Sequence, residues 1–277
     1  LKFSGFGQSL AGCHMVFPDF EYFRSGLQGN DEALQNYFKP FNKHLSFVMD
    51  SRSFEKGRKP MVVNMFSSKS CVAKCTFCQR GSKGYFTYDL GKLEEYINNL
   101  RDNYNVGFLN IDDENFGSNK KYAYQVAELL NKYNMLWSAQ GVRCTSVNEA
   151  DVIHYKKNGC VKLVFGIETG SQTMLDIMEK RFGVEDIKKA LFICYKNGVF
   201  SPPNGFMLGM PGENFKTVRE SGKLMGEIAA KMRVPLNLIY SYIDILYALP
   251  LCGTPLYEHG KQLGLIGQDE DDEEKFL

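Results

Sequence analysis

The chain has 277 residues, of which 44% are hydrophobic and 23% charged, with a formal net charge of +1. These are ordinary values for a soluble globular protein, and a charge so near zero argues against a general binder of nucleic acid. No apolar run reaches the ~20 residues of a membrane span, no signal-peptide pattern is present, and eight cysteines are too sparse for a disulfide framework, so reduced thiols in a cytoplasmic, low-oxygen setting are expected.

Residues 1–58 read as an N-terminal extension, the end of a linker from an upstream domain. Gly5, Gly7 and Gly12 interrupt any early helix, and Pro18-Asp19-Phe20 marks a turn. A short helix is predicted from Asp31 to Phe38, with Asp31 as its cap. Phe3, Phe6, Phe17, Phe20, Tyr22 and Phe23 are expected to pack against the following domain. A first residue that is Leu rather than Met, and an acidic run from Asp269 to Glu274 within a solvated tail at 268–277, suggest a piece of something longer.

From Met61 onward, strand and helix patterns alternate. Apolar runs predict strands at Met61–Phe66, Val106–Ile111, Leu136–Val142, Val161–Ile167, Gly205–Met210 and Leu238–Leu246. Helical spacing predicts helices at Leu90–Tyr104, Lys120–Tyr133, Ser146–Asn158, Glu185–Lys196, Phe215–Ala230 and Pro255–Leu263. Ser146 and Glu149 read as a capping box for the third helix. Strand then helix, repeated, means parallel strands joined by right-handed crossovers. A full eight-unit barrel takes about 250 residues, so residues 59–267 hold six units. The expected fold is α/β, a partial (β/α)6 TIM-like barrel with a short N-terminal extension, and its chemistry belongs at the carboxyl ends of the strands.

After the first strand, Cys71, Cys75 and Cys78 are spaced C-x3-C-x2-C. Thiolates are soft ligands for zinc or iron–sulfur centres. A structural zinc site takes four protein ligands, and no second Cys/His group follows at finger spacing. Lys74 and Arg80 add positive charge that favours thiolates. The competing reading is three buried thiols that bind nothing. After the second strand comes Asp112-Asp113-Glu114-Asn115-Phe116. Successive carboxylates repel unless a cation is bound; the competing reading is an acidic helix cap. Gln140 and Arg143 end the third strand, where a guanidinium fork suits a carboxylate ligand or simply lies on the surface. Glu168, in Gly166-Ile167-Glu168-Thr169-Gly170-Ser171, ends a buried apolar run and needs a partner. The Lys180-Arg181 pair offers one, or an anion site, and the sequence leaves these open. Cys13, Cys144, Cys160, Cys194 and Cys252 have no cluster spacing, and Cys252 reads as a spare thiol.

The cysteine spacing, with Phe77 just before the third thiol, resembles the signature of the radical S-adenosylmethionine (SAM) enzymes, and the resemblance runs from about Lys59 to Gly267. It implies that Cys71, Cys75 and Cys78 hold a [4Fe–4S] cluster whose fourth iron is chelated by SAM. One electron then cleaves SAM to methionine and a 5′-deoxyadenosyl radical, which abstracts hydrogen from substrate. It implies SAM contacts from Phe77 beside the adenine, Asp113 and Glu114 at the ammonium group, Gln140 facing into the barrel, Arg143 at the carboxylate and Glu168 at the ribose, with Arg181 a further SAM-binding residue whose partner (SAM carboxylate, substrate or Glu168) stays open. Asp113-Glu114-Asn115-Phe116 is similar to the D-D-x-F string of the cobalamin-dependent branch, which includes methylases and the anaerobic porphyrin cyclase. The Gly205–Glu213 and Pro250–Tyr257 strings also resemble family motifs. Residues 1–58 are too few for an open α/β cobalamin domain and D-x-H-x-x-G is missing, so such a domain would lie upstream of this chain. The implied partners are an organic substrate, which the sequence does not identify, and a low-potential electron donor such as flavodoxin or ferredoxin. The readings are cobalamin-dependent methylation or cyclisation, a cobalamin-independent rearrangement, oxidation or C–S bond formation, or a non-enzymatic electron-transfer or zinc-binding module.

Overall fold

The computed structural model describes Phe17, Phe20, Ser25 and residues 37–79, 84–203, 205–233 and 243–267. Its strands are β1 (Lys39–Pro40), β2 (Met61–Met65), β3 (Ser68–Lys69), β4 (Phe86–Thr87), β5 (Val106–Ile111), β6 (Leu136–Val142), β7 (Cys160–Phe165), β8 (Phe206–Leu208) and β9 (Ile245–Tyr247). Its α-helices are α1 (Leu45–Val48), α2 (Leu90–Tyr104), α3 (Lys120–Lys132), α4 (Glu149–Lys157), α5 (Gln172–Ile177), α6 (Val184–Lys196), α7 (Phe215–Lys231) and α8 (Pro255–Gln262). One sheet runs β1-β2-β5-β6-β7, parallel from β2 onward. Beyond β7 the wall continues through single bridges, Lys162 to Phe200 and Glu168 to Phe206, and then through β8 paired in parallel with β9. The six expected strand–helix units are therefore present in chain order. Among the described residues no pairing closes β9 back onto β1, so the barrel is partial. No described helix is long and apolar enough to cross a membrane.

Several boundaries differ from the sequence expectation. The Ser146 capping box is absent: Asn148 caps α4, its Oδ1 accepting from Asp151 N at 3.0 Å while Asp151 Oδ2 accepts from Asn148 N at 2.8 Å. Ser146 N instead closes a turn onto Arg143 O. The fifth strand is only three residues long, because Gly205 and Gly209 on either side of it take positive φ. The start of the expected sixth strand and most of the expected Asp31–Phe38 helix, including Asp31, lie outside the described residues, as do Arg80 and the acidic tail.

The two-residue period of a strand assigns each side chain to one face of the sheet. Val63, Met65, Leu109, Ile111, Trp137, Ala139, Leu163 and Phe165 join the core shared with the helices, meeting Leu93, Ile97, Val126, Leu130, Ile187 and Leu191. The opposite face looks into the barrel. Its base is apolar: Val62, Phe108, Leu136 and Val161 pack with Phe47 and Phe41. One layer higher it is polar, with Asn64 opposite Asn110, Asn110 opposite Ser138, and Ser138 opposite Lys162. A register shift between β6 and β7 passes over Val161 and brings Lys162 into that layer.

Residues 39–54, which precede the barrel in sequence, form its base. β1 pairs antiparallel with β2. The Phe41 ring stacks on Phe108 at 4.8 Å, and Phe47 meets it edge-on at 4.9 Å. Asp50 accepts from Arg52 Nε at 2.9 Å and from Lys156 Nζ at 2.9 Å, and Arg52 donates to the carbonyls of Lys156 and Cys160, both at 2.8 Å. Burial pushes the Asp50 carboxyl up, but these charged hydrogen bonds outweigh it and hold the group well below its ordinary value. Of the early aromatics, Phe17 stacks between Tyr88 and Tyr96, and Phe20 packs on Phe38 and Tyr104; Phe3, Phe6, Tyr22 and Phe23 lie outside the described residues.

Two outcomes follow for stability. Phe47 is fully buried, so Phe47→Ala should cost about 3–5 kcal/mol, read as a lowered urea midpoint with unchanged slope. A depressed carboxyl contributes stability above its ordinary pKa of 3.8 and loses it as pH falls. Asp50→Asn should therefore lower Tm at neutral pH, and the gap to the parent should begin to narrow only as melts are taken below about pH 3.8, with most of it still present at pH 3.

Candidate functional site

Pairing of β3 with β4 ties Ser68 to Thr87 and Lys69 to Phe86, so the described residues between them, 70–79 and 84–85, lie beyond the end of β2. Their root is clamped by Asp113, which is 3% exposed. Oδ1 accepts from the amides of Ser67 (2.7 Å) and Ser68 (3.0 Å), and Oδ2 accepts from both serine hydroxyls at 2.6 Å. Burial pushes this carboxyl up, against the pull of the four donors. Tyr122 O–H adds a bond to Ser67 O at 3.0 Å. The far side of the loop is held elsewhere. Thr76 N and Oγ1 donate to the carbonyls of Met178 and Ile177, both at 3.2 Å, at the end of α5. Leu256 N, in α8, donates to Thr76 O at 3.0 Å, and Gln79 Nε2 donates to Cys252 O at 3.0 Å.

Within this frame Cys71 and Cys75 are half-buried, Cys78 is exposed, and all three are free thiols. Burial pushes Cys78 up; the neighbouring Cys75 and Cys71 thiols and the Glu114 charge push it further, and Lys180 opposes them. Deprotonating Cys78 beside the other two thiols is thus opposed, and a bound cationic centre would favour its thiolate. By contrast Cys144, Cys160 and Cys194 are buried, and burial raises the Cys144 and Cys194 thiols to about 12. No three described His, Cys, Asp or Glu side chains gather around one point as a single metal ion requires. A polynuclear iron–sulfur cluster takes one thiolate per iron, and three accessible thiols on one pinned loop fit that donor set.

The successive carboxylates expected to share a cation diverge instead. Asp112 accepts from Gln140 Nε2 at 2.6 Å, and burial raises it. Asp113 borders the rim cavity, but both its oxygens turn to the serine clamp, which sets it at the root of the loop where a ligand contact was expected. Glu114 is exposed on the Cys78 side. β6 passes close beneath this loop at Gly141, where φ is +70° and a Cβ would stand 2.0 Å from the Asp113 carbonyl, so only glycine fits.

Glu168 sits past the end of β7 with φ +63°, a left-handed conformation that costs a non-glycine residue on the order of 1–3 kcal/mol. Bonds from Glu168 N to Gly205 O (3.1 Å) and from Met207 N to Glu168 O (2.7 Å) hold it there. Its Oε1 accepts from Lys180 Nζ at 2.9 Å. Lys180 is 5% exposed, and its ammonium lies 5.8 Å from the Phe77 ring centre and 5.3 Å from that of Phe182. The pair left open by the sequence is thereby resolved: Lys180 meets Glu168, while the Arg181 side chain is 68% exposed, 3.6 Å from Glu179. Arg143 has partners of its own. Its Nη2 donates to the Lys180 carbonyl and its guanidinium covers the Phe182 ring, so one arm of the fork is already engaged.

Two adjoining cavities open at this end of the wall. The rim cavity, about 550 Å³, is lined by Gly166, Glu168 and Gly205 among others. The lumen cavity, about 430 Å³, reaches down to Asn64, Asn110, Ser138 and Lys162. They share Asp112, Gln140, Val164 and Asp244. Lys180, Ser67 and Ser68 carry much of this arrangement and are not singled out by motif. Lys162 is visible in the sequence as one charge inside an apolar strand run. Removing the clamp with Asp113→Ala should cost about 1–3 kcal/mol by leaving two buried amides unpaired, and limited proteolysis should then cut faster between residues 68 and 87.

Among known proteins, the family model described as the radical SAM superfamily matches residues 65–225. An uncharacterized methyltransferase of Pyrococcus horikoshii is 24% identical over 200 residues, covering 70% of this chain and 41% of the relative. The cytidylyl-2-hydroxyethylphosphonate methyltransferase of Streptomyces wedmorensis is 21% identical over 264 residues, covering 93% of this chain and 45% of the relative. The chain thus spans less than half the length of either. The solved structure of the cobalamin-dependent S-adenosylmethionine radical enzyme OxsB, with aqua-cobalamin and S-adenosylmethionine bound, has the same fold at a TM-score of 0.60 and 12% identity, covering 81% of this chain and 40% of that one.

Proposed function

The chain belongs to the radical SAM superfamily, and on that premise we propose that Cys71, Cys75 and Cys78 hold a [4Fe–4S] cluster in the catalytic core of a SAM-cleaving enzyme. The observation that carries this reading is the pinned loop itself. Three free, accessible thiols stand at the carboxyl end of the strands, and Phe77 from the same loop lies against the Lys180–Glu168 pair. When bound, the cluster and SAM supply a one-electron cleavage whose 5′-deoxyadenosyl radical removes hydrogen from substrate.

The chain's own residues have distinct tasks in this proposal. Asp113 positions the loop through Ser67 and Ser68 and makes no ligand contact. Phe77 offers an apolar face for the adenine. Lys180 occupies Glu168 Oε1, which leaves the other carboxylate oxygen to accept a ribose hydroxyl in the rim cavity. Glu114 is the exposed carboxylate on the thiol side and suits the SAM ammonium group; Gln140 holds Asp112 at the shared rim. Arg143 fixes the Lys180 backbone and keeps part of its fork for the SAM carboxylate. Arg181, turned to the surface, is left without a ligand role.

The reaction we favour is cobalamin-dependent methyl transfer, with cyclisation in the same branch as the alternative. The names of the relatives and the shared fold with a cobalamin-binding radical enzyme support it, and the cobalamin would be held outside this chain. A low-potential flavodoxin or ferredoxin would deliver the electron, in a cytoplasm that keeps the three thiols reduced.

Anaerobic reconstitution with iron and sulfide, followed by SAM and a strong reductant, should yield 5′-deoxyadenosine from the parent and none from Cys78→Ala. Glu168→Ala should weaken SAM binding at least about tenfold, or roughly 1.4 kcal/mol. Unchanged SAM affinity would remove Glu168 from the ribose.

A further inference from the structure

The polar layer across the lumen holds an ammonium that no described side chain bonds, although the carboxylates of Asp112 and Asp244 also line the cavity. Lys162 stands in register with Ser138, Asn110 and Asn64, directly above the apolar base. Among the described residues its ammonium has no hydrogen bond or ion pair. Burial pulls its pKa down, and Asp244 opposes that only through space. A half-buried cation kept without a partner costs free energy that a bound anion would restore.

The rest of the layer points the same way. Ser138 Oγ donates to Asn110 Oδ1 at 2.7 Å, and Asn110 Nδ2 donates to Asn64 Oδ1 at 3.0 Å. Each amide oxygen thus already accepts one bond, and each amide keeps an N–H beyond these bonds, with Asn64 also engaged to Asp112. His44, from the base segment, lines the same cavity, and its Nε2 is buried with no hydrogen-bond partner among the described residues. Burial, Lys39 and Lys162 all push this imidazole down, so at neutral pH it is an uncharged group beside the lysine.

We propose that this layer is the anion subsite of the substrate chamber: Lys162, with His44 beside it, binds the carboxylate or phosphate of a small organic substrate whose reacting carbon lies toward the rim. The inference rests on the reading of the rim as the SAM site and adds the chemical class of the molecule below it. From Lys162 to Val164, at the edge shared by the two cavities, is roughly 7 Å of strand rise, so the guest spans several bonds between its anionic group and its reactive position. The 430 Å³ lumen accommodates a molecule the size of a sugar acid.

The test uses the anaerobically reconstituted chain and three probes: gluconate, glucose 6-phosphate and uncharged glucose, titrated by calorimetry. At least one anion should bind tighter than glucose, and which one does so separates carboxylate from phosphate. Lys162→Met should weaken that anion at least tenfold, Lys162→Arg should keep it within threefold, and neither should alter iron content or SAM affinity. Equal binding of all three probes, or equal anion binding by parent and Lys162→Met, would overturn the subsite. A parent that takes up no cluster yet shows the Lys162-dependent anion preference would sink the proposed [4Fe–4S] site and leave the subsite standing, so the two failures are distinguishable.

Discussion

Each strand of the wall serves two environments, and the two-residue period of an extended chain decides which side chain meets which. Val63, Leu109, Trp137 and Leu163 go to the helices; Asn64, Asn110, Ser138 and Lys162 go to the lumen. The arrangement tolerates no slip of one residue, because that would bury a lysine and two asparagines under helices and expose the apolar core to the cavity. The register shift past Val161 makes the last of the four strands comply. The polarity of the lumen is therefore a consequence of the same pairing that builds the core.

On this wall the site is assembled by long-range contacts of high charge density. One buried carboxylate from the end of β5 gathers four donors at the root of the cysteine loop, and one half-buried ion pair joins the β7 end to α5's flank. Neither contact involves a thiol. Their effect is to keep three thiols, an aromatic ring and a carboxylate on one rim. The left-handed backbone at Glu168 is the visible cost of that placement, and the bridge to β8 sustains it.

Much of this was legible in the sequence where the signal is local. Apolar runs and helical spacing located six strand–helix units, and C-x3-C-x2-C needs only eight consecutive residues to be seen. What could not be read depends on distant partners. Asp113 looked like a ligand because its serines lie 45 and 46 residues away. Lys180 and Arg181 are neighbours with the same charge, and only the left-handed turns at Glu179 and Arg181 decide which one faces inward. The base segment looked like a linker because its partners, Phe108 and Lys156, come much later in the chain.

The positions of the three buried cysteines have a further meaning under the proposed carbon-radical chemistry. Cys144, Cys160 and Cys194 all lie in the core between sheet and helices. An S–H bond gives up its hydrogen atom far more readily than the N–H and O–H bonds of asparagine, serine or lysine that line the lumen. By facing their thiols away from the chamber, the strands leave a reactive intermediate among side chains that do not repair it. The parity of β7 at Cys160 is thus also a choice of which hydrogen atoms the intermediate can reach.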